Sequence, residues 1–217
     1  MKKSLILLSG GLDSLVSLGL KKEELGIELA LTFDYGQKSA QDEIIASSKI
    51  CEYYNLKHKV IKLDFLKEIT NNSLVNGGEL PKGIQKNSKS VWVPNRNGLF
   101  LNIAGSFADS YGYDYILIGA NMEEAKTFPD NTKEFIDRIN AEFEYSAAVK
   151  PKVIAPLINY VKNDIVKLAL LNNVPLELTM SCYKGGGKHC GECESCTRLK
   201  RALEFNNAET YLKTIFG

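Results

Sequence analysis

The sequence predicts an α/β fold: a five-stranded parallel sheet with helices on both faces, followed by a small metal-binding region. Three observations predict it. Five short apolar runs are separated by stretches whose apolar residues fall at helical spacing, the pattern of parallel strands joined by right-handed crossovers. The glycine-rich and polar segments after the strands fall on one rim of such a sheet, outside the carboxyl ends of the strands, where ligands bind. Four of the five cysteines crowd between Cys182 and Cys196, which in a reducing compartment points to a metal and not to disulfides.

The first run, Leu5 to Leu8, reads as a buried strand and leads into Ser9-Gly10-Gly11-Leu12-Asp13-Ser14. Two glycines permit a tight reversal with exposed backbone amides, and Asp13 or Ser14 can cap the helix that follows. Unpaired amides, the positive end of the helix dipole and the hydroxyls of Ser9 and Ser14 then converge where a pyrophosphate would sit. The alternative is an ordinary strand-to-helix turn. The string lacks the Gly-Lys-Ser/Thr ending of a Walker A loop and the three spaced glycines of a dinucleotide fingerprint.

A second strand is expected over Ile27 to Phe33, ending in Asp34-Tyr35-Gly36-Gln37 on the ligand rim. Those residues are either nucleotide contacts or a capped turn. Helical spacing over Gln41 to Tyr54 precedes a third strand, His58 to Leu63, in which His58 reads as a surface or turn residue. From Asn71 to Lys89 periodicity is lost, and a flexible excursion with the length of an active-site lid is expected. Val91 to Asn97 follows, with the single tryptophan, Trp92, beside Pro94. Asn95 can cap the amphipathic helix of Leu99 to Tyr111. Arg96 opposes the dipole at that helix start, so it either faces an anionic partner or lies on the surface.

The fourth strand, Tyr115 to Ile118, ends in Gly119-Ala120-Asn121; a helix is expected from Thr132 to about Ala147 and a fifth strand over Lys152 to Ala155. Lys162 then stands at the start of a helix over Ile165 to Leu171, facing phosphate or preceding a cap at Asn163. A short basic helix, Thr197 to Phe205, is expected to pack the cysteine region against the rest, with Arg198, Lys200 and Arg201 facing water or a phosphate.

Cys182, Cys190, Cys193 and Cys196 have the spacing C-x7-C-x2-C-x2-C. Four thiolates close a tetrahedral Zn²⁺ site with no open position, so such a zinc contributes folding energy and activates no water. His189 is a reserve ligand, an iron–sulfur cluster is the alternative, and Cys51 reads as a small core residue. A chain of 217 residues permits one main domain with an appendage, here 1–175 and 176–217. With 27 Lys plus Arg against 26 Asp plus Glu, no overall field recruits nucleic acid or an anionic membrane. No apolar run approaches the ~18 residues of a membrane span, and Met1 to Lys3 lead straight into the first strand, so a cytoplasmic location is expected.

In chain order, SGGLDS (9–14), FDYGQ (33–37), VPNRN (93–97), FPDN (128–131) and SCY (181–183) followed by CGECESC (190–196) resemble the QueC family of 7-cyano-7-deazaguanine synthases. The first string is similar to the phosphate loop of the ATP pyrophosphatase superfamily. The resemblance implies a Rossmann-like, adenine-nucleotide α-hydrolase-like PP-loop fold, usually a homodimer, with a structural Zn²⁺ site, ATP as co-substrate and Mg²⁺. It implies conversion of 7-carboxy-7-deazaguanine and ammonia to the nitrile, through an adenylated carboxylate and an amide.

Carried onto this chain, the resemblance implies an ATP site of Leu8, Ser9, Gly10, Gly11, Leu12, Asp13, Ser14, Asp34, Gln37 and Gly119. Asp13, Ser14, Arg96 and Lys162 take catalytic roles, and Arg96, Asn121, Phe128 and Asp130 take the deazapurine. Many members have a GYPDC-like string where this chain has Thr127 to Asn131 after Glu123-Glu124, which resembles an archaeal-type pattern. Asp130 would bond the donor edge of the base and Phe128 stack on it; the alternative is that Asp130 caps the helix near Thr132. Three rivals remain at this point: a tRNA-modifying PP-loop enzyme, a relative that stops at the amide or uses another amine, and a nucleotide-binding zinc module without turnover.

Overall fold

The computed structural model describes residues 2–84 and 89–217. Its centre is a parallel sheet of β1 (Ser4–Leu7), β2 (Ile27–Asp34), β3 (Lys57–Lys62), β4 (Tyr115–Leu117) and β5 (Lys152–Ile154), in the order β3-β2-β1-β4-β5. Nine helices accompany it among the described residues: α1 (Leu12–Leu25), α2 (Ala40–Tyr54), α3 (Asp64–Ile69), α4 (Arg96–Tyr111), α5 (Met122–Ala125), α6 (Lys133–Ser146), α7 (Lys162–Leu171), α8 (Glu194–Phe205) and α9 (Glu209–Phe216). The predicted α/β class and all five parallel strands are present.

Alternation along β1 shows why both faces need cover. Ile6 and Leu8 enter one apolar core, with Leu15 of α1, Ile50 of α2 and Ile165 of α7, while Leu5 and Leu7 enter the other, with Leu101 of α4 and Phe143 of α6. Successive strand side chains point to opposite faces, so a strand apolar at every position is stable only between two helical layers. Leu199, Ala202 and Leu203 of α8 join the first core. The cysteine region is thereby anchored to the helical layer of α1 and α7.

Three helices lie outside the sequence expectation. α3 and α5 are only 6 and 4 residues long, too short for a periodic signal. α9 carries Tyr211, Leu212, Ile215 and Phe216, which pack against the first core. α8 starts at Glu194, earlier than the expected Thr197, because the last cysteines form its first turn. Of the expected excursion, residues 85–88 lie outside the described residues. The part before them is pinned: Asn72 Oδ1 accepts from Leu74 N and Val75 N, and both of those side chains are buried. Further along, Lys82 forms an isolated antiparallel bridge with Cys193.

Strand order reverses direction between β1 and β4, and the crevice at such a switch point is where α/β sheets bind ligands. Here it is narrow at Gly119. A Cβ there would stand 2.7 Å from Ser14 N and 2.8 Å from the Asp13 carbonyl carbon, both backbone atoms that cannot rotate away. Gly119→Ala is therefore expected to displace the turn after β1, lower stability by about 1 to 3 kcal/mol and weaken ATP binding. Thermal melts and an ATP titration check this; an unperturbed variant in both would show that the two segments have room to part.

Candidate active site

The turn after β1 presents its backbone to the crevice. Gly10 has φ +75 and packs so closely on α2 that a Cβ would meet Ala46 at 2.8 Å, so only glycine fits. Gly11 is the N-cap of α1 and has no side chain to satisfy its first amides. Neither Asp13 nor Ser14 caps the helix, contrary to expectation, because both lie inside its first turn. Ser14 Oγ instead donates to Gly11 O at 3.0 Å and lies 3.3 Å from Ser9 Oγ. Two hydroxyls and the positive end of a 14-residue helix thus face one spot.

Beside that spot lies a buried ion cluster. Lys162 is only 7% exposed, and its Nζ pairs with Asp13 Oδ2 and, at 3.0 Å, with Glu124 Oε1. Burial pushes the Asp13 carboxyl up to about 6, against the pull of Lys162. Burial also opposes ionisation of Glu124, but Lys162 outweighs it and holds that carboxyl below its usual range. For Lys162 the cost of burial is more than offset by the two carboxylates, so it stays charged. The cap at Asn163 is not formed, since α7 begins at Lys162.

Glu123 braces this cluster from behind. Its carboxylate accepts from Lys162 N at 2.9 Å, from Arg198 Nη1 at 3.0 Å and from Arg201 Nη2 at 2.8 Å, while Arg198 Nη2 also donates to Glu194 at 2.6 Å. The expectation that Arg198 and Arg201 face water or phosphate is corrected: through Glu123 they tie α8 to α5, the short helix that also carries Glu124. Lys200 alone of the three is exposed.

At the other end the cavity is aromatic. Trp92 and Phe128 stack with centroids 5.9 Å apart and planes at 15°, and Phe33 stacks on Phe100 at 4.0 Å. Arg96 Nη1 donates to Tyr35 Oη at 3.2 Å. Burial raises the Asp130 carboxyl, with Arg96 pulling the other way. Asp130 does not cap α6: Thr132 Oγ1 accepts from Phe135 N and does so itself. Glu43, held by Ser39 Oγ at 2.6 Å and Gln37 Nε2 at 3.0 Å, is likewise raised by burial.

One cavity brings together Leu8, Ser9, Gly11, Leu12, Asp13, Ser14, Gln37, Arg96, Gly119, Phe128, Asp130 and Lys162 of the expected site. Gly10, Asp34 and Asn121 do not line it. Asp34 Oδ1 accepts from Gly36 N at 3.1 Å, closing a turn, and Asn121 Oδ1 caps α5 by accepting from Glu123 N and Glu124 N. Tyr35, one of the four residues expected as nucleotide contacts or a capped turn, lines the cavity too, as do Glu43, Trp92, Glu124, Ser181 and Tyr183, to which the sequence assigned no site role. The SCY string was a signal for the last two; Glu43 sits on an amphipathic helix with nothing local to distinguish it.

The four cysteines meet as their spacing requires. Their sulfurs all lie within 4.8 Å of one another, three of the four side chains are buried, and none is disulfide-bonded. Lys184 N and Cys190 N point at Cys182 Sγ (3.4 and 3.5 Å), and Cys193 N at Cys190 Sγ (3.3 Å). Amides aimed at sulfur favour the charged form, and four cysteine sulfurs gathered this closely form a ready donor set for a cation. The donor set fits a soft-ligand tetrahedral ion such as Zn²⁺. His189 stands apart, its Nε2 accepting from Ser181 N at 3.1 Å.

A parallel sheet with a glycine turn at its switch point, a buried lysine beside that turn and aromatic rings lining the same cavity is the architecture of a PP-loop-type α/β fold. The chain belongs to the QueC family, whose model, described as "Queuosine biosynthesis protein QueC", matches residues 3–207. Among curated relatives, 7-cyano-7-deazaguanine synthase of Methanosarcina mazei is 50% identical over 216 residues, covering 93% of this chain and 94% of its own. The proteins of that name from Methanosarcina barkeri and Carboxydothermus hydrogenoformans are each 48% identical, covering 95% and 93% of this chain and 94% and 98% of their own.

The ion cluster generates a pH-dependent prediction. Lys162→Met leaves Asp13 and Glu124 buried together without a cation, at a stability cost of about 3 to 5 kcal/mol near pH 8. Without the lysine the Asp13 carboxyl rises further and that of Glu124, no longer held below its usual range, rises above it, so in mild acid the folded variant binds more protons than the unfolded chain and gains stability as pH falls. Urea unfolding at pH 8 and pH 5 is expected to show a smaller deficit at pH 5; equal deficits would contradict the cluster as described.

Proposed function

We propose that the protein converts 7-carboxy-7-deazaguanine and ammonia to 7-cyano-7-deazaguanine with ATP, in queuosine biosynthesis. The observation that carries this reading is one cavity with a phosphate-binding turn at one end and, at the other, a recess offering an aromatic stack, a guanidinium and the half-buried carboxylate of Asp130. It matches a substrate pair of which one is a nucleoside triphosphate and the other a planar, guanine-like carboxylate.

A carboxylate is a poor electrophile and needs a leaving group. One of its oxygens attacks the α-phosphorus of ATP, the bond to the β-phosphate oxygen breaks, and pyrophosphate leaves. Ammonia then attacks the acyl carbon, AMP departs, and the nitrogen sheds a proton to give the amide. Adenylation of the amide oxygen by a second ATP, followed by loss of AMP and the remaining N–H protons, yields the nitrile. The protein's part is positional and electrostatic. The backbone amides of residues 11–14, of which those of Gly11 and Leu12 donate only through long bonds to Ser9 Oγ (3.3 Å) and Ser181 Oγ (3.4 Å), and the hydroxyls of Ser9 and Ser14 hold the pyrophosphate, and Lys162 offsets its charge. Arg96 orients the carboxylate, Phe128 with Trp92 stacks on the ring, and Asp130 accepts from its ring N–H and exocyclic amine.

Four carboxylates line the cavity (Asp13, Glu43, Glu124, Asp130) against two cations, Arg96 and Lys162. Anionic substrates therefore need a cation with them. Asp13 Oδ1, buried and without a hydrogen-bond partner among the described residues, suits an oxygen-seeking Mg²⁺ that also binds phosphate. Bound there, Mg²⁺ would supply Lewis-acid neutralisation of the polyphosphate. The four cysteines hold a structural Zn²⁺. In keeping with the family, the working unit is a homodimer in the cytoplasm; none of the described helices is long and apolar enough to cross a membrane.

Incubation with 7-carboxy-7-deazaguanine, ATP, Mg²⁺ and ammonium is expected to yield the nitrile by mass spectrometry, with AMP and pyrophosphate. ADP as co-product, an end product that stays at the amide, or an adduct with another amine would overturn the reading. Asp130→Asn is expected to weaken binding of the carboxylate substrate by about tenfold, the cost of a mispaired buried group. ATP affinity should change little, and so should the melting temperature, because Thr132 supplies the helix cap. A lowered melting point with unchanged substrate binding would make Asp130 a structural residue.

A further inference from the structure

We infer that Ser181 is a phosphate-binding residue of the ATP site, delivered to the phosphate turn by the segment that leads into Cys182. The inference rests on the ATP-using reading above and adds a residue to it.

Residues 179–181 are sewn to the turn from the far end of the chain. Met180 N donates to Gly10 O at 2.8 Å, and Thr179 Oγ1 reaches the same carbonyl at 3.4 Å. Ser181 Oγ then accepts from Leu12 N at 3.4 Å. That amide opens α1, whose N-cap, Gly11, contributes no side chain, so a hydroxyl 169 residues away in sequence stands where a local cap would normally be. A Cβ built on Gly11 would have Ser9 Oγ at 3.3 Å and Ser181 Oγ at 3.8 Å. Both hydroxyls therefore border one space, and Ser181 lines the cavity together with Ser9, Ser14, Asp13 and Lys162.

A hydroxyl suits this place because its proton rotates. With no phosphate present it accepts from Leu12 N, and at 3.4 Å that bond is long and cheap to break. When a phosphate oxygen arrives, the hydroxyl turns to donate to it, and the Leu12 amide is released to donate as well. A carboxylate in the same position would repel the ligand. An alanine would leave the amide free but remove one donor.

The cysteine cluster holds Ser181 in place. Ser181 N donates to His189 Nε2, and the neighbouring Cys182 sulfur receives two backbone amides. A metal that closes on its four sulfurs, with no position for substrate, thus still shapes the ATP site through the residue just before its first ligand.

Calorimetric titration with a non-hydrolysable α,β-methylene ATP and Mg²⁺ tests this on Ser181→Ala and Ser181→Thr. Loss of one hydrogen bond to a charged group predicts about tenfold weaker binding for the alanine variant. The threonine variant, which keeps the hydroxyl, should retain most of the affinity. Zinc content and affinity for the deazapurine carboxylate should match the wild type in both. If Ser181→Ala binds the analogue as tightly as wild type, whether or not its melting point falls, Ser181 is only a helix cap and the inference is wrong. A wild-type protein that binds no ATP analogue would overturn the ATP reading itself, and this inference with it.

Discussion

A turn that is to receive phosphate, the role proposed for residues 9–14, must keep its amides unsatisfied by their own helix and yet not move. A helix normally satisfies its first N–H groups with a local cap, and a turn of two glycines is by itself among the most mobile pieces of backbone. The fold resolves this by packing the turn on three sides. α2 presses Ala46 against Gly10, the loop after β4 lays Gly119 on the backbone of residues 13 and 14, and residues 179–181 bond to Gly10 O and Leu12 N. Each contact comes from a different part of the chain, so the site assembles only when the whole sheet does. Much of the remaining architecture serves this end, including anchoring of the cysteine region to the same core as α1 and α7.

Charge around the turn follows the same logic. A lysine as buried as Lys162 would ordinarily lose its proton, and Asp13 and Glu124 prevent that by holding it between them. Glu123 in turn fixes the Lys162 backbone and draws Arg198 and Arg201 from α8. The result is a chain of ion pairs running from the cysteine helix to the phosphate turn. Such buried pairs contribute little net stability compared with apolar packing, so their use here is to set position. The excess of carboxylates over cations in the cavity then makes binding of anionic substrates depend on an accompanying cation.

Much of the scaffold was legible in the sequence because it is periodic or sharply spaced. The five strands stand out as apolar runs and the cysteine spacing announces a cluster whose sulfurs do meet, whereas Ser9 to Ser14 by itself reads equally as a phosphate turn or an ordinary strand-to-helix turn until the family resemblance is added. What was illegible is what depends on distant pairing. Arg198 and Arg201 look like solvent-facing residues of a basic helix until Glu123 is brought opposite them. Asp130 reads equally as a cap or a pocket residue, and only the bond from Phe135 N to Thr132 removes the first option. Asn121 and Asp34 read as rim contacts because they follow strands, yet their oxygens are occupied by local amides. Ser181 is marked only by the SCY string, which does not reveal its contact, since the amide it meets lies at the other end of the chain.

The central claim is that the turn receives pyrophosphate while a substrate carboxylate attacks the α-phosphorus. Isotope transfer tests it most directly. With 7-carboxy-7-deazaguanine labelled with ¹⁸O at both carboxylate oxygens, the account predicts that each of the two AMP molecules released per nitrile carries one label, found by mass spectrometry of the nucleotide, and that pyrophosphate carries none. Label in inorganic phosphate with ADP as the partner product would mean attack at the γ-phosphorus and would contradict the account.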